Sequence, residues 1–120
     1  MSKAQQAWYA PLTPLSFLER IATIMPDRTA VIDGDDRWTW QAFFERVNRL
    51  SNALKDFGVG RGDNVAFVSR NFPPLLEAHY GVPLTGGAIV AINYRLSARE
   101  ISTIVNLSGA RVLFVDAGVA

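Results

Sequence analysis

Three short apolar runs, separated by segments with helical periodicity, constrain the fold of this chain more than any other feature. The runs are NVAFVS at 64–69, AIVAI at 88–92 and RVLFV at 111–115. Strands that are apolar on both faces are typical of parallel sheets, in which helices cover each side. We therefore predict an α/β fold in which the three runs are buried parallel strands joined by right-handed helical crossovers.

The two segments between these runs carry the signals of helices. The first helix is predicted to begin at about Pro73, with Asn71 as its capping residue. The second covers 97–107, where Ser97 and Glu100 have the spacing of a capping box. Both segments are short enough to cross from one strand to the next, which supports the parallel arrangement.

The residues before the first run form a helix and a hairpin in this interpretation. Residues 1–12 are polar and then interrupted by proline, as expected of a tail. Thr13 and Pro14 suit the start of a helix, because threonine caps well and proline is tolerated in the first turn. The segments 30–32 and 37–40 are predicted to be two short strands joined by a tight turn at Gly34.

A long helix is predicted between the hairpin and the first apolar run, over about 41–57. Its apolar residues recur at intervals of three and four, which places them on one side of a helix. Gly58 follows directly and is suited to a left-handed cap. The predicted buried stripe consists of Phe43, Val47, Leu50, Leu54 and Phe57.

Composition excludes several classes of function. The 120 residues are 49% hydrophobic and 19% charged, and 12 basic against 11 acidic side chains leave a net charge of +1. A charge this close to zero gives no basic surface for nucleic acid. The absence of cysteine excludes disulfides, thiolate metal sites and thiol catalysis. No apolar stretch reaches the roughly 18 residues of a membrane span, and we expect a cytoplasmic protein.

Three groups of residues are candidates for chemistry, and each has a structural interpretation that fits better. The glycine-rich stretch at 58–62 follows a helix and lacks the spacing of a dinucleotide or phosphate loop, which favours a helix cap and turn. His79, the one histidine, has no second histidine to work with. Asp33, Asp35 and Asp36 occupy the hairpin turn, where aspartate usually bonds to backbone. We therefore identify no catalytic, cofactor-binding or metal-binding residue.

Taken in order, seven stretches resemble the opening of an AMP-forming acyl-CoA synthetase of the adenylate-forming superfamily. The sequences of 77–86 and 91–96 are most similar to those of the short- to medium-chain branch. The resemblance implies a partial N-terminal domain of the acetyl-CoA synthetase-like fold, with a β-hairpin, a βαβαβ parallel sheet and flanking helices. Residues 1–12 would be a tail, and 13–120 the N-terminal portion of an AMP-binding (adenylation) domain that continues further. The stretches are 13–20 (TPLSFLER), 26–31 (PDRTAV), 37–40 (RWTW), 58–65 (GVGRGDNV), 77–86 (EAHYGVPLTG), 93–100 (NYRLSARE) and 108–113 (SGARVL).

The same resemblance implies an acid-thiol ligase that uses ATP, Mg²⁺ and coenzyme A. A carboxylic (fatty) acid would become an acyl-adenylate, and coenzyme A would then displace AMP. The family's phosphate loop, acidic ATP motif, hinge and catalytic lysine would follow residue 120, so we expect this chain alone to bind no cofactor and to be inactive. Its partners would be the remainder of the ligase domain or a second copy of itself. A peroxisomal location would require a C-terminal signal beyond residue 120.

Two other interpretations remain open on the sequence. One is a truncated product of a ligase gene with no catalytic role. The other is a small, self-sufficient α/β module that binds a nucleotide, although the chain lacks the glycines of a phosphate loop.

Overall fold

The chain begins with a helix and a β-hairpin, after which helices and strands alternate. The computed structural model describes residues 11–119, so the predictions for 1–10 lie outside it. The elements are α1 (Pro14–Ile24), β1 (Thr29–Asp33), β2 (Asp36–Thr39), α2 (Trp40–Asp56), β3 (Asn64–Ser69), α3 (Pro73–Gly81), β4 (Ala88–Asn93), α4 (Ala98–Ser108) and β5 (Val112–Val115). A single 3₁₀ turn, Pro83–Thr85, connects α3 to β4.

The three apolar runs form a parallel sheet, as predicted, in the order β4-β3-β5. Phe67 at the centre of β3 lies opposite Ala91 of β4 on one side and Phe114 of β5 on the other. Because β3 has a strand on each side and helices on both faces, Val65 to Ser69 are all buried. The α/β class and the parallel sheet are therefore confirmed.

The prediction that all three strands are buried is wrong for β4 and β5. In β4 only Ile92 is buried, and in β5 Leu113 and Val115 are 45% and 49% exposed. Both strands are the edges of the described sheet, so each lacks a neighbour on its outer side. Their uniformly apolar sequences do not distinguish an edge strand from a central one.

Side chains of β3 alternate between two apolar layers. Val65 and Phe67 pack with Leu54 of α2 and with Ala78 and Val82 at the α3 end. Ala66 and Val68 point to the other face, together with Ile92, where Ile101, Ile104 and Val105 of α4 cover them. The sheet therefore separates α2 and α3 on one side from α4 on the other.

The start of the chain packs against the α2 and α3 side through a third cluster. Leu18 of α1 is buried with Phe43 and Val47 of α2. The Phe43 ring meets the Tyr80 ring edge-on, with centroids 5.7 Å apart. As predicted, Thr13 caps α1, where its hydroxyl accepts from the Ser16 amide. These contacts attach the hairpin and α1 to the sheet through α2.

Two boundary details differ from the prediction. Phe57 is 67% exposed, because α2 ends at Asp56 and the chain turns away at Gly58, whose φ is 79°. Asn71 does not cap α3. The capping position is Phe72, whose carbonyl accepts from two amides of the first turn. The prolines that open α3 have no N–H, so fewer backbone donors require a capping side chain.

Candidate functional site at the carboxyl end of the sheet

The carboxyl ends of the three parallel strands meet at one edge of the sheet. In open α/β proteins this edge is where ligands bind, because the connecting loops diverge there and leave a crevice. Here β3 ends at Ser69, β4 at Asn93 and β5 at Val115. The residues that follow these ends are Arg70, Tyr94 with Arg95, and Asp116.

An ion pair joins the loops that follow β3 and β5. The Nε of Arg70 donates to Oδ2 of Asp116 at 2.7 Å, and Nη2 lies 3.3 Å from Oδ1. The Asp116 side chain is only 6% exposed, whereas that of Arg70 is 52% exposed. The Gly118 amide also donates to Oδ1 at 2.8 Å. The pair is a two-bond contact between an exposed cation and a covered carboxylate, the geometry in which arginine binds carboxylates best.

The electrostatics of this pair keep both groups charged. The hydrogen bond from Arg70, followed by that from the Gly118 amide, lowers the pKa of Asp116 to about 2. The same contact raises the pKa of Arg70. Proton transfer near neutral pH is therefore not a role that Asp116 can serve.

Gly118 allows the Arg70 side chain to lie against the backbone of the β5 loop. A Cβ atom at this position would stand 2.6 Å from Nη2 of Arg70, closer than two such atoms can approach. The guanidinium also lies over the Phe72 ring, 5.8 Å from its centroid. The Arg70 guanidinium is thus held by a carboxylate, a glycine backbone and an aromatic face.

Below this pair lies an apolar groove of about 300 Å³. The rings of Phe67 and Phe114 stack in its wall at 4.7 Å between centroids, with 11° between their planes. Phe72 and Leu75, from the start of α3, complete the opposite side. The groove is suited to an uncharged apolar group, because the charges at its rim already neutralise one another.

The loop after β4 presents a cation, Arg95, that has no acidic partner in the described part of the chain. The Asn93 side chain accepts from the Arg95 amide at 3.0 Å, which fixes the turn that leaves β4. The Arg95 guanidinium lies 5.4 Å from the centroid of the Tyr94 ring. Within residues 11–119 no carboxylate lies within 4 Å of it.

A buried carboxylate at Glu77 was not found by sequence reasoning. Glu77 is 7% exposed, and its oxygens bond to Nε and Nη2 of Arg46 at 2.5 and 3.4 Å. The pair joins α3 to α2, so its role is to fix the helix that forms one side of the groove. An acidic residue between apolar neighbours in a helical segment is the signal that points to such a pair, but its partner lies 31 positions away.

The glycine-rich stretch lies at the opposite edge of the sheet from this site. It precedes β3, and both Gly58 and Gly62 have positive φ, 79° and 88°. The Gly60 amide donates to the Asp63 carboxylate at 2.8 Å, which closes the loop on itself. This geometry confirms the interpretation as a helix cap and turn.

The other sequence candidates are not brought to the site. His79 is exposed on α3, and its Nδ1 lies 2.8 Å from the Leu75 carbonyl of its own helix. Asp33, Asp35 and Asp36 remain in the hairpin turn, where Arg37 bonds to backbone carbonyls. Over the described part of the chain, no three acidic or histidine side chains are grouped to hold a metal ion. None of the helices described is long and apolar enough to cross a membrane.

Comparison with known protein sequences gives matches over nearly the whole chain. The sequence model of one family, AMP-binding enzyme, matches residues 18–120. Among curated relatives, 4-hydroxybutyrate–CoA ligase 2 of Metallosphaera sedula is 44% identical over 110 residues, covering 92% of this chain and 20% of that protein. A peroxisomal acetate/butyrate–CoA ligase of Arabidopsis thaliana is 40% identical over 108 residues, covering 90% and 19%. The chain therefore spans about a fifth of the length of these relatives.

The fold has counterparts among solved structures as well. A Mycobacterium tuberculosis fatty acyl CoA synthetase superposes with a TM-score of 0.83 at 31% sequence identity. The match covers 88% of this chain and 22% of that one. Sequence and fold thus point to the same group of proteins.

Proposed function

The chain belongs to the AMP-binding enzyme family, and on this basis we propose that it forms the N-terminal part of an ATP-dependent acyl-CoA ligase. Such a ligase activates a carboxylic acid as an acyl-adenylate and transfers the acyl group to the thiol of coenzyme A. The observation that carries the proposal is the family match over 18–120, reinforced by relatives that are themselves CoA ligases. We further propose a short- or medium-chain acid as the substrate and the cytoplasm as the location.

The chemistry explains why such an enzyme needs more than this chain. A carboxylate oxygen is a poor leaving group, and transfer to AMP makes the acyl carbon reactive toward a thiol. The first step concentrates phosphate charge, which Mg²⁺ and cationic side chains neutralise in enzymes of this kind. Among residues 11–119, the hairpin aspartates do not converge to hold Mg²⁺, and Arg70 is already bound by Asp116, which leaves Arg95 as a cation at this edge with no carboxylate within 4 Å.

The role left to this chain is that of a scaffold. It supplies the sheet with β3 at its centre and positions the loops at the carboxyl edge through the pairs Arg70–Asp116 and Arg46–Glu77. In this proposal the 120-residue chain alone neither forms an acyl-adenylate nor binds ATP. ATP, Mg²⁺ and coenzyme A would be bound by the remainder of the ligase.

A chimera tests the proposal directly. The 110-residue segment of the Metallosphaera sedula ligase that matches this chain is replaced by the matching residues of this chain. Acid-dependent release of AMP in the presence of coenzyme A is then measured against the parent enzyme. We expect the chimera to retain ligase activity, and the 120-residue chain alone to give no exchange of pyrophosphate into ATP.

A second chimera carrying Val65→Asp serves as the control, because Val65 is fully buried and a carboxylate there prevents folding. A folded chimera that is inactive beside an active parent would contradict the ligase proposal. Pyrophosphate exchange by the isolated chain would contradict the scaffold role.

A further inference from the structure

The tip of the β1–β2 hairpin carries the one Asp-Gly step of the sequence. Asp33 ends β1 and pairs with Asp36 of β2, so Gly34 and Asp35 form the loop between them. Gly34 has a φ of 57°, and among residues 11–119 no residue other than glycine has a positive φ. A positive φ at the first loop residue alone is typical of a type II′ turn. The Asp33 side chain and the Gly34 amide nitrogen are therefore neighbours where the chain reverses.

This turn is exposed to solvent. Asp33, Gly34 and Asp35 are all exposed, and Ile32 before them is 63% exposed. A Cβ atom placed on Gly34 would meet nothing within 4 Å. Water therefore reaches the Asp33 carboxyl group and the peptide bond that follows it.

The residue after Asp33 distinguishes it from the other aspartates of the turn. An aspartyl side chain can react with the amide nitrogen of the next residue, because the reaction closes an unstrained five-membered ring. A side chain on that next residue crowds the nitrogen, and glycine has none. Asp35 and Asp36 are exposed as well, but they are followed by an aspartate and an arginine. Exposure and the absence of crowding thus coincide at Asp33 alone in this turn.

Ring closure requires the hairpin tip to open. The Asp33 side chain reaches the next nitrogen only after rotation about its Cα–C bond, away from the extended conformation that strand pairing imposes. The base of the hairpin is held separately, where the Trp40 amide donates to the Arg28 carbonyl at 2.9 Å and the Gln41 amide to the Pro26 carbonyl at 3.0 Å. The exposed tip can therefore open while the base stays paired, and such local opening costs little free energy.

Arg37 opposes this opening. Its Nη1 donates to the Gly34 carbonyl at 2.7 Å and to the Asp36 carbonyl at 2.9 Å, so one guanidinium connects the loop to β2. Both contacts must break or shift before the peptide after Asp33 can rotate. Arg37 therefore slows the opening of the tip without contacting the reacting atoms.

We propose that Asp33 is a modification site that isomerises spontaneously to isoaspartate, at a rate that Arg37 limits. The Gly34 nitrogen attacks Cγ of the protonated Asp33 carboxyl group, an N–Cγ bond forms, and the carboxyl hydroxyl leaves with the amide proton as water. Water then adds to either carbonyl of the resulting succinimide. Addition at Cγ breaks the new bond and restores aspartate. Addition at the backbone carbonyl breaks the original peptide bond, so the chain continues through Cγ and a free α-carboxylate remains.

The water that is lost in the first step is regained in the second, so the reaction needs no oxidant, reductant or cofactor. The product has one more atom in its backbone, which removes the register between Asp33 and Asp36. Its α-carboxylate lies on an exposed turn and is the group that a protein isoaspartyl methyltransferase esterifies with the methyl group of S-adenosylmethionine. The turn is thus a substrate for a repair enzyme of that class, whether or not the ligase activity proposed above is present.

Incubation of the 120-residue chain at neutral pH tests the proposal. Trypsin cleaves after Arg28 and Arg37 and releases residues 29–37, in which the isoaspartyl form has the same mass but a different retention time. Purified isoaspartyl methyltransferase with radiolabelled S-adenosylmethionine quantifies the same product. We expect isoaspartate to accumulate at residue 33 of the folded chain. A synthetic peptide of residues 29–37 gives the rate in the absence of the fold.

Variants of the turn identify the reacting residue. Asp33→Glu should abolish methyl incorporation, because glutamate would have to close a larger and less favourable ring. Asp35→Glu makes the same change at the neighbouring exposed aspartate and is the matched control, which should leave methyl incorporation unchanged. Arg37→Gln should accelerate it about two- to tenfold, the effect of losing one typical hydrogen bond. Circular dichroism establishes that each variant is folded.

Three results would overturn the proposal. The first is a folded chain that contains no isoaspartate at residue 33 after the synthetic peptide has converted, because the fold would then protect the turn. The second is an equal loss of methyl incorporation in Asp33→Glu and Asp35→Glu. The third is an unchanged rate in Arg37→Gln, which would remove the role of the guanidinium.

Discussion

Replacement of Leu54 by alanine should remove a large share of the about 5–15 kcal/mol of stability that a domain of this size has. Leu54 is fully buried at the centre of the cluster that joins α2 to β3. The substitution removes three carbon atoms, which at about 0.8 kcal/mol each amounts to roughly 2.4 kcal/mol of lost burial. Val65 and Val82 beside it are also fully buried, so the walls cannot collapse freely and a cavity cost is added. We expect a loss of about 3–4 kcal/mol.

Urea unfolding followed by circular dichroism measures this loss, with Leu107→Ala as the control. The control makes the same chemical change at a side chain that is 84% exposed, and should alter the unfolding free energy by less than about 0.5 kcal/mol. A loss below about 1 kcal/mol for Leu54→Ala, with an unchanged dependence on urea, would refute the placement of Leu54 in the core.

Three further predictions concern the sheet and its carboxyl edge. The pKa of Asp116 is lowered from 3.8 to about 2, so its carboxylate contributes stability that is present above pH 4 and is lost as pH falls toward 2. Asp116→Asn should therefore flatten that part of the curve of stability against pH, which thermal melts at a series of pH values measure. Gly118→Ala should displace the Arg70 guanidinium from Asp116. Because this group is the tip of a flexible, half-exposed side chain, the melting temperature should fall only slightly, whereas an alanine at Gly60, where nothing lies within 4 Å, should leave it unchanged. Val115→Lys places a charge on an apolar edge strand and should therefore reduce self-association of the chain, measured by light scattering at high concentration. An apparent molecular mass equal to that of the unsubstituted chain would argue against association through β5.

Local patterns were sufficient to predict most of the elements. The capping box of Ser97 and Glu100 forms as expected, with both side chains bonded to the other's backbone. The alternation of helix and apolar run predicted the parallel sheet. These features depend on residues a few positions apart, which is the range over which propensity and capping operate.

Features that depend on distant residues were not predicted. The pair Arg70–Asp116 joins positions 46 apart, and neither residue has a sequence neighbour that identifies its partner. The exposure of β4 and β5 is a property of the sheet order, which periodicity does not encode.

The position of β3 at the centre of the sheet has a consequence for synthesis of the chain. The central strand is made first, and its neighbours are added on opposite sides, β4 and then β5. The ribosome adds 22 residues between the end of β4 at Asn93 and the end of β5 at Val115. At about 5–20 residues per second this takes about one to four seconds, during which one edge of the most buried strand of the sheet has no partner. In a nascent chain of this protein, one edge of the central strand therefore stays open to other chains for that interval after β4 has paired.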